Sequence, residues 1–329
     1  MQSDTRTTDL DATDLQLIDN LQLDGRMTYT ELAHRVGVTE KTARRRVSRL
    51  LEARYITIAA VTDPGVLGFH CMALIFITID GSRLPVDIAD ELVTVPEVHY
   101  VTVTTGRFAM QAEVVCTDKQ ELYDVVFGAI ASVSGVATVE ILPYLRLHYQ
   151  QARFSGLPTG VGGIRPKPLD TTDRAIITHL AADGRAAFRD CATALGVSEA
   201  TVRLRYAKLI ESGAIRVMCI ANPLRLGYRF SGWVTIQIGE NGRAQDVAEA
   251  LTRLKAVSYV AITAGRADVI AEVIAATGES LLAVLDDEIR VIDGVAAIGS
   301  LTYLTVYYKA IRPRGPSTRV DPDADDQTG

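Results

Sequence analysis

Residues 39–54, TEKTARRRVSRLLEAR, gather Lys41, Arg44, Arg45, Arg46, Arg49 and Arg54 against Glu40 and Glu52, in a chain whose net charge is −6. Residues 198–213, SEATVRLRYAKLIESG, repeat the skeleton with half the positive charge. Guanidinium and ammonium groups clustered on one face can anchor phosphate oxygens and read guanine edges in the major groove of double-stranded DNA. With Ala43, Val47 and Leu50 turned inward, an advance of about 100° per residue points Lys41, Arg45, Ser48 and Arg49 outward. Thr42 and Arg46 then lie on one flank and Arg44 on the other. A solvated cationic helix face is the plain alternative. Arg46 and its counterpart Arg205 also have a competing role, bracing the helix against Glu52 or Glu211. In the second stretch the outward positions are Ala200, Leu204 and Lys208, with Thr201, Arg203 and Arg205 beside them. Fewer phosphate contacts mean less counterion release and weaker binding at every DNA sequence. The first stretch is therefore expected to be the principal reader, and the second a weak reader or a scaffold.

Two units must position these helices, because the chain is one unit written twice. LDATD at 10–14 returns as LDTTD at 169–173, DGR at 24–26 as DGR at 183–185, and GVTEKTARRR at 37–46 as GVSEATVRLR at 196–205. Pro64, Gly68, Gly106–Arg107 and Gly135–Val136 recur as Pro223, Gly227, Gly265–Arg266 and Gly294–Val295. Every pair is separated by 159 positions, so 10–149 aligns with 169–308 without a gap. The Gly- and Pro-rich stretch 150–168 reads as a linker, and the polar ends 1–9 and 310–329 as disordered.

Within each unit the hydrophobic period changes. Asp11 is a candidate cap for a helix with Leu15, Ile18 and Leu21 on one face, and Thr28 or Thr30 starts a second helix with Leu32 and Val36. Gly37 makes the turn, and Thr39 caps the basic third helix. A short helix, a glycine turn and a basic amphipathic helix form a helix-turn-helix signature, expected over 10–62 and again over 169–221. Downstream, 71–79 reads as a strand, 85–95 as a helix, 99–105 and 107–116 as strands joined at Gly106, 119–133 as a helix and 137–149 as a strand. That βαββαβ order predicts an antiparallel sheet with both helices on one face, over 63–149 and 222–309. The fold class is α+β: two tandem modules, each a helix-turn-helix followed by a ferredoxin-like domain. The bare sheet face needs a cover, and the second copy's sheet is the cheapest one, giving an internal pseudo-dimer or a domain-exchanged equivalent.

The combination LDxxDxxIxxxLxxDGR, LGVSxxTVRxRxxxLIESGAIR and NPxxLG, with the glycine turn between the inner strands, resembles the Lrp/AsnC (feast/famine) transcriptional regulators. The resemblance spans nearly the whole repeated unit, twice. It implies a sequence-specific DNA-binding regulator that senses a small molecule, commonly an amino acid, and that self-associates through its ferredoxin-like domains. It also implies an effector pocket at the turn that follows G-x-x-D. The second copy keeps that pattern as Gly265-Arg266-Ala267-Asp268, whereas the first reads Gly106-Arg107-Phe108-Ala109 and lacks the acid. The Asp268 carboxylate could hold an ammonium group while backbone beside the glycine approaches a carboxylate. Alternatively Asp268 caps its hairpin; Arg107 and Arg266 could pair with an effector carboxylate or with Glu113 or Glu272.

An enzymatic rival also resembles this fold, the siroheme decarboxylases, whose S-H-N-Y type motif is absent where this chain reads FHCMALIF with His70 alone. The histidines His34, His70, His99, His148 and His179 form no cluster in sequence, and no nucleophile elbow, phosphate loop or metal spacing appears. No catalytic residue, metal or cofactor is expected. A DNA-silent sensor or interaction module is the third alternative. Cys71, Cys116, Cys191 and Cys219 sit singly among apolar residues and read as buried thiols in a reducing cytoplasm. The polar N-terminus and the short apolar runs predict no signal peptide and no membrane association.

Overall fold

A computed structural model of the protein describes residues 10–62, 64–150 and 169–308. Asp11 opens α1 (Ala12–Leu23) by accepting the Asp14 N–H, while the Asp14 carboxylate accepts the Asp11 N–H, a reciprocal cap. Thr28 caps α2 (Tyr29–Val36), Gly37 ends it in the left-handed region at φ 74°, and Thr39 caps α3 (Glu40–Glu52). Leu17, Ile18 and Leu21 of α1 are buried against Leu32 of α2 and against Ala43, Val47 and Leu50 of α3. Leu17 takes the inward place expected of Leu15, which is half-exposed. The second copy repeats the arrangement as α6 (Thr171–Ala182), α7 (Phe188–Leu195) and α8 (Glu199–Glu211).

After each third helix comes a strand missing from the expected elements: β1 (Ile56–Val61) and β6 (Arg216–Ala221). They pair antiparallel, Ile56 opposite Ala221 and Val61 opposite Arg216, and one apolar core runs through both helical modules and this ribbon. The repeated DGR explains the join. Arg26 donates to the carbonyls of Gly184 at 2.6 Å and Ala186 at 3.0 Å, and Arg185 donates to Gly25 at 2.7 Å and Met27 at 3.2 Å. Each guanidinium also stacks on a ring of the other copy, Arg26 over Phe188 at 4.3 Å and Arg185 over Tyr29 at 4.6 Å. A Cβ on Gly25 would lie 2.9 Å from the Met218 nitrogen, and one on Gly184 2.9 Å from the Ala59 nitrogen, so the ribbon approaches too closely for a side chain.

The rest of the first unit runs β2 (Cys71–Ile79), α4 (Pro85–Leu92), β3 (Val98–Thr104), β4 (Met110–Cys116), α5 (Lys119–Tyr123) and β5 (Val136–Gln150). Its second-copy equivalents are β7 (Gly232–Ile238), α9 (Ala244–Leu251), β8 (Val257–Thr263), β9 (Val269–Val273), α10 (Gly278–Ala283) and β10 (Val295–Tyr308). A π-helical segment extends each of α5 and α10, over Asp124–Ile130 and Val284–Ile289. The two sheets do more than stack. They close into one barrel of order β10-β3-β4-β2-β5-β8-β9-β7, because the long β5 and β10 each cross to the other copy. Tyr144 of β5 faces Thr263 of β8, and Tyr303 of β10 faces Thr104 of β3. Closure leaves no bare strand edge in the barrel among the described residues. Phe76, Phe108 and Leu142 of one copy meet Trp233, Tyr259 and Tyr303 of the other inside the barrel, while each pair of helices packs outside. Gln150 ends β5; residues 151–168 of the expected linker and the ends 1–9 and 310–329 lie outside the described residues.

Candidate nucleic-acid interface and effector turns

Helix α3 presents Lys41, Arg44, Arg45 and Arg49 as exposed residues, with Thr42 and Arg46 half-buried beside them. Their partners differ. Arg44 pairs with Glu40 at 2.9 Å one turn back and lies 4.6 Å over the Tyr29 ring. Arg46 donates to Asp11 at 2.7 Å and Asp14 at 3.0 Å, and Arg49 also pairs with Asp14, which is buried. The bracing expected of Arg46 is therefore present, but toward the acids that cap α1 and not toward Glu52. The Asp14 N–H and then the Arg46 guanidinium hold the Asp11 carboxyl below its ordinary value. The Thr42 hydroxyl is shared with Thr39 at 2.9 Å. Lys41 and Arg45 remain, without an ion-pair partner among the described residues.

Helix α8 has the same scaffold and a different outer face. Arg203 donates from Nε to Glu199 at 2.9 Å, and Thr201 shares a hydrogen bond with Ser198 at 2.8 Å. Arg205 pairs with Asp170 and, at 3.0 Å, with Asp173, so Glu211 is not its brace either. Lys208 is exposed, Ala200 is exposed, and Leu204 shows 59% of its surface to solvent. An exposed leucine flanked by alanine neutralises no phosphate.

The two inner turns lie at the seam of the copies. Gly106 and Gly265 have φ of 96° and 122°, which side chains with a Cβ rarely adopt. Each turn is tied to the other copy's long strand: the Thr105 N–H donates to Thr302 at 3.0 Å and the Ala264 N–H to Pro143 at 3.1 Å. Arg266 pairs with Glu140 at 2.6 Å and stacks 4.7 Å from the Phe108 ring, with Arg107 at 5.5 Å from that ring. The structure thus brings Arg107, Phe108 and Arg266 together, and pairs Arg266 with Glu140 in place of Glu113 or Glu272. Asp268 accepts the Ile238 N–H at 2.8 Å and so caps the neighbouring β7. Glu113, buried, and Glu272, half-buried, instead lie among tyrosines of the barrel, a feature the motif reading missed. Its signal was present: a glutamate within a largely apolar strand run, at matching positions of both copies.

The AsnC-type helix-turn-helix domain matches residues 10–51 and 169–210, and the Lrp/AsnC ligand binding domain matches 72–153. A C-terminal dimeric alpha+beta barrel domain matches 241–311. An uncharacterized HTH-type transcriptional regulator of Pyrococcus abyssi is 34% identical over 138 residues, covering 41% of this chain and 86% of its own. The HTH-type transcriptional regulator FL11 of Pyrococcus furiosus is 30% identical over 140 residues, covering 42% of this chain and 91% of its own. Among solved structures, the siroheme decarboxylase NirDL aligns with a TM-score of 0.60 over 92% of this chain and 94% of that one, at 19% identity, which is a likeness of fold. No helix among the described residues is long and apolar enough to cross a membrane. Two helix-turn-helix matches, a matched ligand-binding domain and relatives covered over most of their length carry one conclusion: the chain belongs to the Lrp/AsnC family of HTH-type transcriptional regulators, with the family's unit present twice.

Proposed function

We propose that the protein is a sequence-specific DNA-binding regulator whose main reader is α3, seated in the major groove through Lys41 and Arg45. The observation that carries this reading is the contrast between copies: two exposed cations on α3 without an ion pair among the described residues, against Ala200 and Leu204 on α8. Arg44, Arg46 and Arg49 contribute positive potential from positions held by acids, and α8 adds weaker phosphate contact through Lys208 and Arg203. The reading assigns no catalytic residue and no cofactor, and it places the protein in the cytoplasm with its DNA. Genome-wide binding combined with footprinting tests it. Discrete protected operators are expected; uniform binding without protected sites would overturn it.

The regulator also responds to a small-molecule effector, an amino acid or related metabolite, at the turns formed by Gly106, Arg107, Gly265, Arg266 and Asp268. The solved structure of a Neisseria meningitidis regulator in complex with L-methionine gives the ligand class to test first. The asymmetry of Asp268 and Ala109 makes the second copy's turn the stronger site. Asp268→Asn keeps an acceptor for the Ile238 N–H while removing the charge, so it separates an effector role from hairpin capping. Reduced effector response with unchanged thermal stability is expected; an unchanged response would leave Asp268 as a cap.

A further inference from the structure

A cavity of about 990 Å³ lies between the β1–β6 ribbon and the barrel, and none of the turn residues lines it. Its barrel side carries Glu113 and Glu272, contributed by the two copies. Glu113 accepts hydroxyls from Tyr144 at 3.0 Å and Tyr259 at 2.6 Å; Glu272 accepts them from Tyr100 at 2.6 Å, Tyr303 at 2.9 Å and Ser258. No cation pairs with either carboxylate among the described residues. The indole of Trp233 lines the same cavity at 2% exposure, and its Nε1 has no acceptor among the described residues. It stands edge-on to Tyr100 at 6.0 Å and to Tyr259 at 5.6 Å. The cavity's other lining includes Arg54 and Arg225, both exposed and therefore at its open side.

A buried carboxylate, Glu113, and a half-buried one, Glu272, set among aromatic side chains favour a cationic group, which gains both ionic hydrogen bonds and attraction to the rings. Arginines at the open side favour an anionic far end. We propose that this cavity binds an organic amine with a carboxylate at its other end, the ammonium against Glu113 and Glu272 and the carboxylate toward Arg54 and Arg225. The site exists only because both copies share one barrel. Leu51, at the end of α3, and Arg54 and Tyr55, just beyond it, are part of the wall, so occupancy bears directly on the reader helix.

Trp233 is the chain's single tryptophan, so its emission reports the floor of the cavity. The full-length protein is titrated with 6-aminohexanoate, with hexanoate and with cadaverine, following that emission. A saturable change with 6-aminohexanoate, a weaker one with cadaverine and none with hexanoate are expected. Glu113→Gln with Glu272→Gln should weaken 6-aminohexanoate binding about tenfold to a hundredfold, the value of lost ionic hydrogen bonds. Arg54→Gly is the second variant, since Arg54 sits at φ 55° where glycine is at ease; it should weaken the amino acid but not cadaverine. No saturable change with either amine, equal response to hexanoate, or full binding by the glutamine variant would overturn the proposal. Coupling to DNA rests on the regulator reading and is measured separately, as a ligand-dependent change in operator affinity. Ligand binding without such a change would leave the site standing and overturn only the coupling.

Discussion

Changing Lys41→Ala together with Arg45→Leu converts the outer face of α3 into that of α8, since Ala200 and Leu204 are the equivalent residues. Both side chains are exposed and neither is part of an ion pair among the described residues, so the fold should survive with stability changed by less than about 1 kcal/mol. The DNA term is much larger. If both side chains meet phosphates, the slope of log affinity against log salt becomes shallower by about 0.9 for each, nearly 2 in all. If they read bases, each loss costs about 1–3 kcal/mol, roughly fivefold to more than a hundredfold. Fluorescence anisotropy on a footprinted operator at two salt concentrations separates these cases, with urea unfolding of the same samples to establish stability. The comparator is Lys208→Ala, an exposed cation on the outer face of α8. Arg205→Ala is a poorer one, because it also breaks the ion pairs to Asp170 and Asp173 that join α8 to α6. If Lys208→Ala lowers affinity more than the double change in α3 does, the reader has been assigned to the wrong half.

The ribbon between the helical modules should be intolerant at Gly25. Gly25→Ala forces a Cβ to within 2.9 Å of the Met218 backbone and should destabilise by about 1–3 kcal/mol in urea unfolding, whereas Gly128→Ala, with nothing within 4 Å, should be near neutral. Burial raises the Glu113 carboxyl above its ordinary value of 4.5, against the opposing pull of the Tyr259 and Tyr144 hydroxyls. A folded-state pKa above the unfolded one gives stability that is full at low pH and lost as pH rises through the folded value. Glu113→Gln cannot titrate, so its thermal midpoint should gain on the unaltered protein as pH increases above about 4.5; a pH-independent difference would show that Glu113 does not titrate in this way.

The sequence alone determined the repeat, the helix-turn-helix period, the capping residues Asp11 and Thr39 and the βαββαβ order. These are local: an N-cap, a glycine turn and a two- or three-and-a-half-residue period depend on neighbours a few positions away. It also carried the contrast between Lys41 and Ala200 and between Arg45 and Leu204, which needs only the helical period and an aligned copy. What the tertiary structure decided are the pairings made across 32 positions or more. Arg46 meets Asp11 and Asp14 rather than Glu52, Arg266 meets Glu140, and DGR clamps one module to its copy. A guanidinium bonds to whichever acceptor the packing presents, so charge in the sequence names a donor without naming its partner. The ribbon of β1 with β6 and the closed barrel belong to the same class. A strand edge requires a partner, and only the two copies folded against each other show that each supplies the other's, enclosing Glu113 and Glu272 in a cavity that neither copy possesses alone.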